Sequence, residues 1–200
     1  MLTRRLALLL GVAPAIPGFV LPTWALTEVG RVIAGQGAAF AETRGSARPL
    51  TPQAQVLLDD LVRTGQDGRV AMMLGAKTTL RLGGDTRLKI DRFLVDQGGV
   101  ITLASGIVRV DTQGALSRGL SVRSPYALVA VRGTGFIAGA EPGRGFSVLV
   151  DRGRVDVSAG GSRVSLRAGE GTTIAARGGR PSAPVAWSPE RADRFRARVR

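Results

Sequence analysis

Apolar and polar residues alternate in short stretches along the chain from about residue 27 to residue 176. In RVAMML (69–74) the alternation places Val70, Met72 and Leu74 on one face of a strand, and TTLRLGG and TRLKID repeat the pattern. Glycines or polar turns separate the stretches about every ten residues, which is typical of all-β folds. The pattern predicts an all-β antiparallel sandwich, or a jelly-roll-like domain, of many short strands whose sheets each have one wet face.

The pattern of the segment TPQAQVLLDDLVRTG (51–65) fits either a helix or an extended chain. Its apolar residues lie at mixed spacing before Gly65, so one or two helical turns would fit. The extended interpretation is favoured, because Asp59 and Asp60 then lie near the turn that precedes LVRTG. The sequence therefore predicts an extended segment with a turn near this acidic pair.

The last segment, residues 179–200, changes character. Glycine and proline mark a linker, after which Ser188 and Pro189 provide the N-cap and first-turn residue of a short C-terminal helix. The apolar side of this helix would carry Ala192, Phe195 and Val199. Because so short a helix is not stable alone, we expect it to pack on the domain, with a position on a membrane surface as the alternative.

The first 25 residues have the pattern of an export signal. Arg4 and Arg5 precede an apolar stretch that runs to Val20, and small residues lead to a predicted cleavage site after Ala25. Prolines interrupt the stretch, which argues against an uncleaved membrane anchor. The paired arginines partly match a twin-arginine signal, so both the Sec and the twin-arginine routes stay open. A second site after Ala41 ranks lower, because the residues before it read as the first strand.

These patterns divide the chain into three parts: a signal peptide (1–25), a β domain (26–178), and a linker with a basic helix or tail (179–200). The expected location is the periplasm or the exterior of the cell. Export also makes nucleic acid a less favoured partner, because genomic DNA is scarce outside the cytoplasm.

The composition disfavours an enzyme. The 200 residues include no cysteine and no histidine. Disulfides, thiolate nucleophiles, histidine bases and the usual zinc ligands are therefore excluded. We expect neither a cofactor nor a metal. Aspartates occur mostly where turns are predicted, so we interpret them as turn residues and not as a glycosidase pair or a calcium loop; they are Asp59, Asp60, Asp91, Asp96, Asp111, Asp151 and Asp156.

The charge favours acidic partners. The formal net charge is +13, and arginine supplies nearly all of the positive groups. Such an excess favours acidic polymer, anionic lipid or nucleic acid, and export disfavours the last of these. The densest cluster lies in the predicted helix, and we take as candidate interaction residues Arg191, Arg194, Arg196 and Arg198. Aromatic residues make up 4% of the chain, too few for the stacking surfaces of a sugar or single-strand nucleic-acid binder.

Several stretches of the chain, in order, match the pieces of one known domain family. The family's opening pattern falls on Asp60, Thr64, Gly65, Gly68 and Arg69. TTLRLGGDTRLKID and LASGIVRVDT are similar to the strands that follow, and SVRSPYALVAVRGTGF to the family's most recognisable segment. VDRGRVDVSAGGSRVSLRAGEGTTI is similar to its close. On these pieces the chain resembles the periplasmic FecR domain family, and the likeness covers about 150 residues and is carried mainly by the order of the pieces.

The resemblance implies a signalling module. Iron-uptake members of this family have a cytoplasmic segment that binds a sigma factor, a membrane-spanning helix, and this domain in the periplasm. Here a signal peptide stands where the cytoplasmic segment would be, so the sigma-factor role is not transferred. The chain is similar to free-standing exported members, which implies a protein-interaction or sensing role with an envelope partner. The alternative is a basic structural protein that binds acidic envelope polymer or lipid headgroups through arginine.

The segment VAVRGTGF contains the family-motif residues Arg132, Gly133, Thr134 and Phe136. Glycine permits a positive φ, the hydroxyl can bond to local backbone, and the arginine can bind Asp111 or Asp151 across strands. We therefore interpret the segment as a structural corner. Some sensor members of the family are cut at a glycine–threonine bond, so the resemblance leaves self-cleavage between Gly133 and Thr134 as a lesser alternative.

Overall fold

The computed structural model describes residues 26–131 and 133–200. The predicted signal peptide and Arg132 lie outside the described residues. The described chain forms strands β1 (Glu28–Gln36), β2 (Ala39–Thr43), β3 (Ser46–Pro49), β4 (Gln55–Leu57), β5 (Leu61–Thr64), β6 (Arg69–Leu74), β7 (Thr78–Leu82), β8 (Arg87–Leu94) and β9 (Gly98–Ser105). It continues with β10 (Ile107–Thr112), β11 (Gly119–Arg123), β12 (Leu128–Val131), β13 (Gly135–Glu141), β14 (Gly145–Arg152), β15 (Arg154–Ala159), β16 (Ser162–Arg167), β17 (Glu170–Ile174), β18 (Val185–Ala186) and helix α1 (Pro189–Ala197).

These strands form two nine-stranded sheets that pack face to face, which confirms the predicted all-β sandwich. Sheet A has the order β18-β17-β14-β13-β10-β7-β6-β1-β4, and sheet B has the order β16-β15-β12-β11-β9-β8-β5-β2-β3. The chain crosses repeatedly between the sheets. It usually forms a hairpin of two strands in one sheet before it crosses to the other. Across the part of the chain that is described, no helix is long and apolar enough to cross a membrane.

One strand pair departs from the antiparallel rule. Among the described strands, β9 and β11 alone run parallel, with Gly98 opposite Gly119 at the start of the pair. Gly98 has a φ of 113°, and a Cβ at this position would lie 1.9 Å from the carbonyl oxygen of Gly119. The close approach therefore requires glycine, because any side chain would collide with backbone.

The core between the sheets follows the predicted alternation. In β6 the side chains of Val70, Met72 and Leu74 are buried, and the residues between them are half-buried. The segment 51–65 is extended, as expected, and Asp59 lies in the turn between β4 and β5 with a φ of 67°. The period-two pattern thus identifies which side chains face inward.

A second apolar cluster lies on the outer face of sheet A. Helix α1 begins after the N-cap Ser188, whose side chain accepts a hydrogen bond from the backbone N–H of Arg191. The cluster joins Trp187 and the helix to three outward side chains of the sheet; its members are Ile107, Ile137, Leu149, Trp187, Ala192, Phe195 and Val199. The C-terminal segment also adds β18 to sheet A. The helix therefore covers one outer face of the sandwich.

Candidate interaction surface

Asp60, in the family's opening pattern, is fully buried beneath an edge of sheet B. Its carboxylate accepts hydrogen bonds from the Arg48 guanidinium, at 2.5 Å and 3.0 Å, and from the Leu57 backbone N–H at 2.7 Å. The Thr43 hydroxyl donates a further bond to it. These contacts tie β3, β4 and the turn before β5 together, so the role of Asp60 is structural.

The rest of the opening pattern is also used inside the fold. The Thr64 hydroxyl donates to the carbonyl of Gly83 at 2.6 Å and accepts from the backbone N–H of Thr86 at 2.9 Å. A Cβ on Gly68 would lie 2.2 Å from the carbonyl oxygen of Ala38. The pattern therefore marks close backbone approaches where β5 ends and β6 begins.

The corner that ends VAVRGTGF is held from β10. Gly133 has a φ of 66°, as its predicted role in a turn requires. The hydroxyl of Thr112 accepts from the backbone N–H of Thr134 at 2.7 Å, and it donates to the Thr134 carbonyl at 3.1 Å. Phe136 follows in β13 with a fully buried ring. The buried Thr134 hydroxyl itself has no hydrogen-bond partner among the described residues.

Asp111 and Asp151, the carboxylates expected to bind Arg132, both pair with other arginines. Asp111 pairs with Arg109 at 2.7 Å, and Asp151 pairs with Arg109 at 2.7 Å and with Arg196 at 2.8 Å. These cations come from the outer face of β10 and from helix α1. The predicted partner, Arg132, lies outside the described residues.

The remaining aspartates singled out from the sequence bind local partners. Asp96 occupies a turn with a φ of 59° and accepts from the backbone N–H of Ala76 at 2.9 Å. Asp91 pairs with Lys89, and Asp156 accepts from the Ser165 hydroxyl. Within residues 26–131 and 133–200, no three acidic side chains are grouped so that they could hold a metal ion.

Three of the four candidate arginines on the helix are engaged within the fold. Arg191 donates to Glu141 at 2.6 Å and to the Thr173 hydroxyl at 3.0 Å, and its guanidinium lies 3.6 Å from the centre of the Trp187 ring. Arg196 binds Asp151, and Arg198 donates to the Ala140 carbonyl. Arg194 is exposed. The helix thus uses its arginines chiefly to dock on sheet A.

The pKa of Glu141 reflects this docking. Partial burial raises the pKa of its carboxyl, and hydrogen bonds from Arg191 and Ser147 outweigh that effect, so the pKa lies below its ordinary value of 4.5. The hydrogen bond to Asp151 correspondingly raises the pKa of Arg196. The docking contacts therefore favour the charged forms of Glu141 and Arg196.

The outer face of sheet B is different, because no described segment packs over it. It carries exposed cations whose side chains make no hydrogen bond or ion pair with described residues: Arg87, Arg92, Arg123, Arg154 and Arg167. Arg118, in the turn before β11, is likewise exposed and unpaired there. Sequence reasoning missed this surface, although each arginine occupies a polar position of an alternating strand or an adjoining turn. Alternation separates inward from outward positions but does not tell which outward face a helix will cover.

The described residues thus form an all-β sandwich in which helix α1 covers the outer face of sheet A and the outer face of sheet B is open. The family model described as FecR protein matches residues 60–156. Residues 60–156 therefore match this family over slightly less than half of the chain, which confirms the resemblance seen in the sequence.

Two crystal structures, at 2.50 Å and 1.65 Å resolution, of a presumed anti-sigma factor from Parabacteroides distasonis ATCC 8503 have a similar fold. Each is 15% identical, with a TM-score of 0.55 over 66% of this chain. The match spans 61% of the length of the other chain, so this protein corresponds to part of that molecule. A search of curated proteins gives no match.

Proposed function

We propose that this protein is an exported, non-catalytic FecR-like module that binds a protein partner in the bacterial cell envelope and takes part in sensing. The open outer face of sheet B is the observation that carries the proposal. The match of residues 60–156 to the FecR family and the similarity to a presumed anti-sigma factor support a regulatory role rather than a metabolic one. The export part of the proposal rests on the leader pattern of residues 1–25.

The two outer faces have different uses in this proposal. On sheet A, helix α1 packs on the outer apolar side chains, and the carboxylates form ion pairs with Arg109, Arg191 and Arg196. On sheet B the outward arginines of β8, β11, β15 and β16 have no such partners among the described residues, and the side chain of Leu128 is 38% exposed among them. Arginine beside exposed apolar surface is characteristic of protein interfaces.

Site-specific photo-crosslinking in cells tests the proposal. A photoreactive amino acid at Leu128, on the open face, is expected to give a discrete protein adduct in the envelope fraction. The matched control is the same amino acid at Arg194, which is exposed on the opposite side of the sandwich. Equal adducts from both positions, or adducts in the cytoplasmic fraction, would contradict the proposal.

A basic structural role is a second candidate, and the same unpaired arginines favour it. A protein that holds acidic envelope polymer through these cations would bind it mainly by charge. Such binding is expected to collapse between low salt and about 0.15 M, where the Debye length falls to about 8 Å. Retention of a protein adduct at that ionic strength would instead favour the interaction module.

Self-cleavage between Gly133 and Thr134 is a narrower candidate, favoured by the buried Thr134 hydroxyl that lacks a described partner. In this reaction Oγ1 would attack the Gly133 carbonyl carbon, the C–N bond would break, and the hydroxyl proton would pass to the new amine. Water would then hydrolyse the ester. The products would be residues 26–133 and 134–200.

The intact mass of protein purified from the envelope tests both the leader and this bond. The proposed main function predicts one chain that begins at Leu26. Two chains that meet between Gly133 and Thr134 would support self-cleavage, particularly if Thr134→Val yields a single chain and Thr134→Ser yields two. A chain that retains Met1 would overturn the prediction of a cleaved signal peptide.

A further inference from the structure

A shallow groove crosses the outer face of sheet B at the point where β9 and β11 pair in parallel. It consists of two adjoining depressions of about 340 Å³ and about 380 Å³, which share Arg118, Gly119 and Ser121. The first depression extends to Arg154 on β15, and the second extends to Arg92 on β8. The groove therefore runs across the strands and not along them.

Strand register explains why the groove has a low floor. One row of paired residues joins Val100, Ser121, Ala130 and Asp156 across β9, β11, β12 and β15. The adjoining row contains Gly98 and Gly119, where the parallel strands approach too closely for any side chain. Small side chains beside two glycines leave a concave surface in a sheet face that larger residues would otherwise fill.

The walls of the groove carry three arginines. Arg92, Arg118 and Arg154 are exposed, and their side chains make no ion pair with described residues. One carboxylate, Asp156, also lines the groove, and it accepts a hydrogen bond from the Ser165 hydroxyl on the next strand. The net positive charge of the lining therefore favours an anionic occupant.

The end of the groove near β8 is apolar. The side chain of Leu94 is 47% exposed there, and Leu58 and Val100 line the same depression. The groove thus combines separated guanidinium groups with a patch that fits an aliphatic side chain. From β8 to β15 it crosses four strand spacings, about 19 Å, which about six residues of an extended peptide would span.

We propose that this groove binds an extended acidic segment of a protein partner, with carboxylates on the three arginines and an aliphatic side chain at the Leu94 end. The inference rests on the proposed interaction function and names the chemistry of its partner. Guanidinium groups bind carboxylates through two parallel hydrogen bonds, which separated arginines can repeat along a peptide. A concave site of this width suits a chain better than a flat membrane surface, and its lining lacks the exposed aromatic rings that sugar recognition favours.

Fluorescence anisotropy with a labelled eight-residue peptide of alternating glutamate and leucine tests the groove on the purified full mature chain. At about 0.15 M salt we expect saturable binding, and about tenfold weaker binding when glutamine replaces glutamate in the peptide. The triple variant Arg92→Gln/Arg118→Gln/Arg154→Gln is expected to lose about tenfold in affinity. Its matched control, Lys77→Gln/Arg180→Gln/Arg194→Gln, removes the same charge from other exposed positions.

A second variant distinguishes binding that depends on the shape of the groove from binding to diffuse positive charge. Ala130→Trp leaves the charge unchanged and fills the floor, so it is expected to weaken peptide binding, and Asp156→Asn is expected to strengthen it. Thermal unfolding of each variant identifies any that is misfolded. Equal loss in the control triple, or undiminished binding by a folded Ala130→Trp, would overturn the inference. Tighter binding to phosphatidylglycerol vesicles or to polyphosphate than to the peptide would also overturn it.

The same variants in the photo-crosslinking experiment distinguish this inference from the proposed function. If the adduct at Leu128 persists in the Ala130→Trp protein, a partner binds the face outside the groove and the groove inference alone fails. If wild-type protein binds the peptide but gives no adduct in the envelope, the proposed function fails and the chemistry of the groove stands.

Discussion

Replacing Asp60 with alanine is expected to lower the free energy of unfolding by about 3–5 kcal/mol. The side chain of Asp60 is completely buried, and its partners come from Thr43, Arg48 and the Leu57 backbone. Truncation would leave a partly buried guanidinium, a buried hydroxyl and a buried N–H without their acceptor, so the loss includes the cost of their desolvation. Urea unfolding followed by circular dichroism measures the change.

Asp156→Ala is the matched control for this effect. Asp156 lies on the half-buried outer side of β15 and has one side-chain hydrogen bond, from Ser165. Its replacement is expected to cost no more than about 1 kcal/mol. A similar loss in both variants, or a loss below about 1 kcal/mol for Asp60→Ala, would show that the buried cluster does not anchor the edge of sheet B.

Phe195→Ala is expected to release helix α1 from sheet A and to cost about 3 kcal/mol. The Phe195 ring is 2% exposed and meets the Trp187 ring edge-on, with centroids 5.4 Å apart. Trp187 is the one tryptophan of residues 26–200, so the release should shift its fluorescence emission to the red. Limited proteolysis should cut the C-terminal segment at the same time.

Arg194→Ala provides the control for the helix. It introduces the same residue on the exposed side of α1, so the emission of Trp187 and the proteolysis rate should both stay at their wild-type values. Unchanged emission in the Phe195→Ala protein would mean that the apolar cluster does not hold the helix. The ion pairs of Arg191 and Arg196 would then account for its docking.

The sequence predicted the fold class well because burial in this protein follows local alternation. Val70, Met72 and Leu74 could be placed in the core without knowing which strands they pair with. The N-cap and the apolar side of α1 were equally local, since Ser188, Pro189 and the spacing of later apolar residues define them. The order of the strands, in contrast, depends on contacts between distant segments, and no short pattern reports it.

The candidate interaction residues show the same difference between local patterns and contacts between distant segments. Arg191 and Arg196 lie in the densest basic stretch, but their partners are Glu141 and Asp151, about 45 to 50 residues away in the chain. The groove arginines are isolated in sequence and meet only because β8, β11 and β15 lie near one another in sheet B. Charge density along the chain therefore pointed to the arginines that dock helix α1 on sheet A. It overlooked the arginines on the open outer face of sheet B.

The repeated crossing between sheets also bears on how such a domain can change its length. From β6 to β17 the chain adds material to both sheets as it advances, and each new strand pairs with one laid down shortly before it. Like the units of a solenoid, each increment is held mainly by its nearest neighbours. A duplication or loss of one hairpin from each sheet would therefore lengthen or shorten the sandwich while the strand register on either side stayed the same.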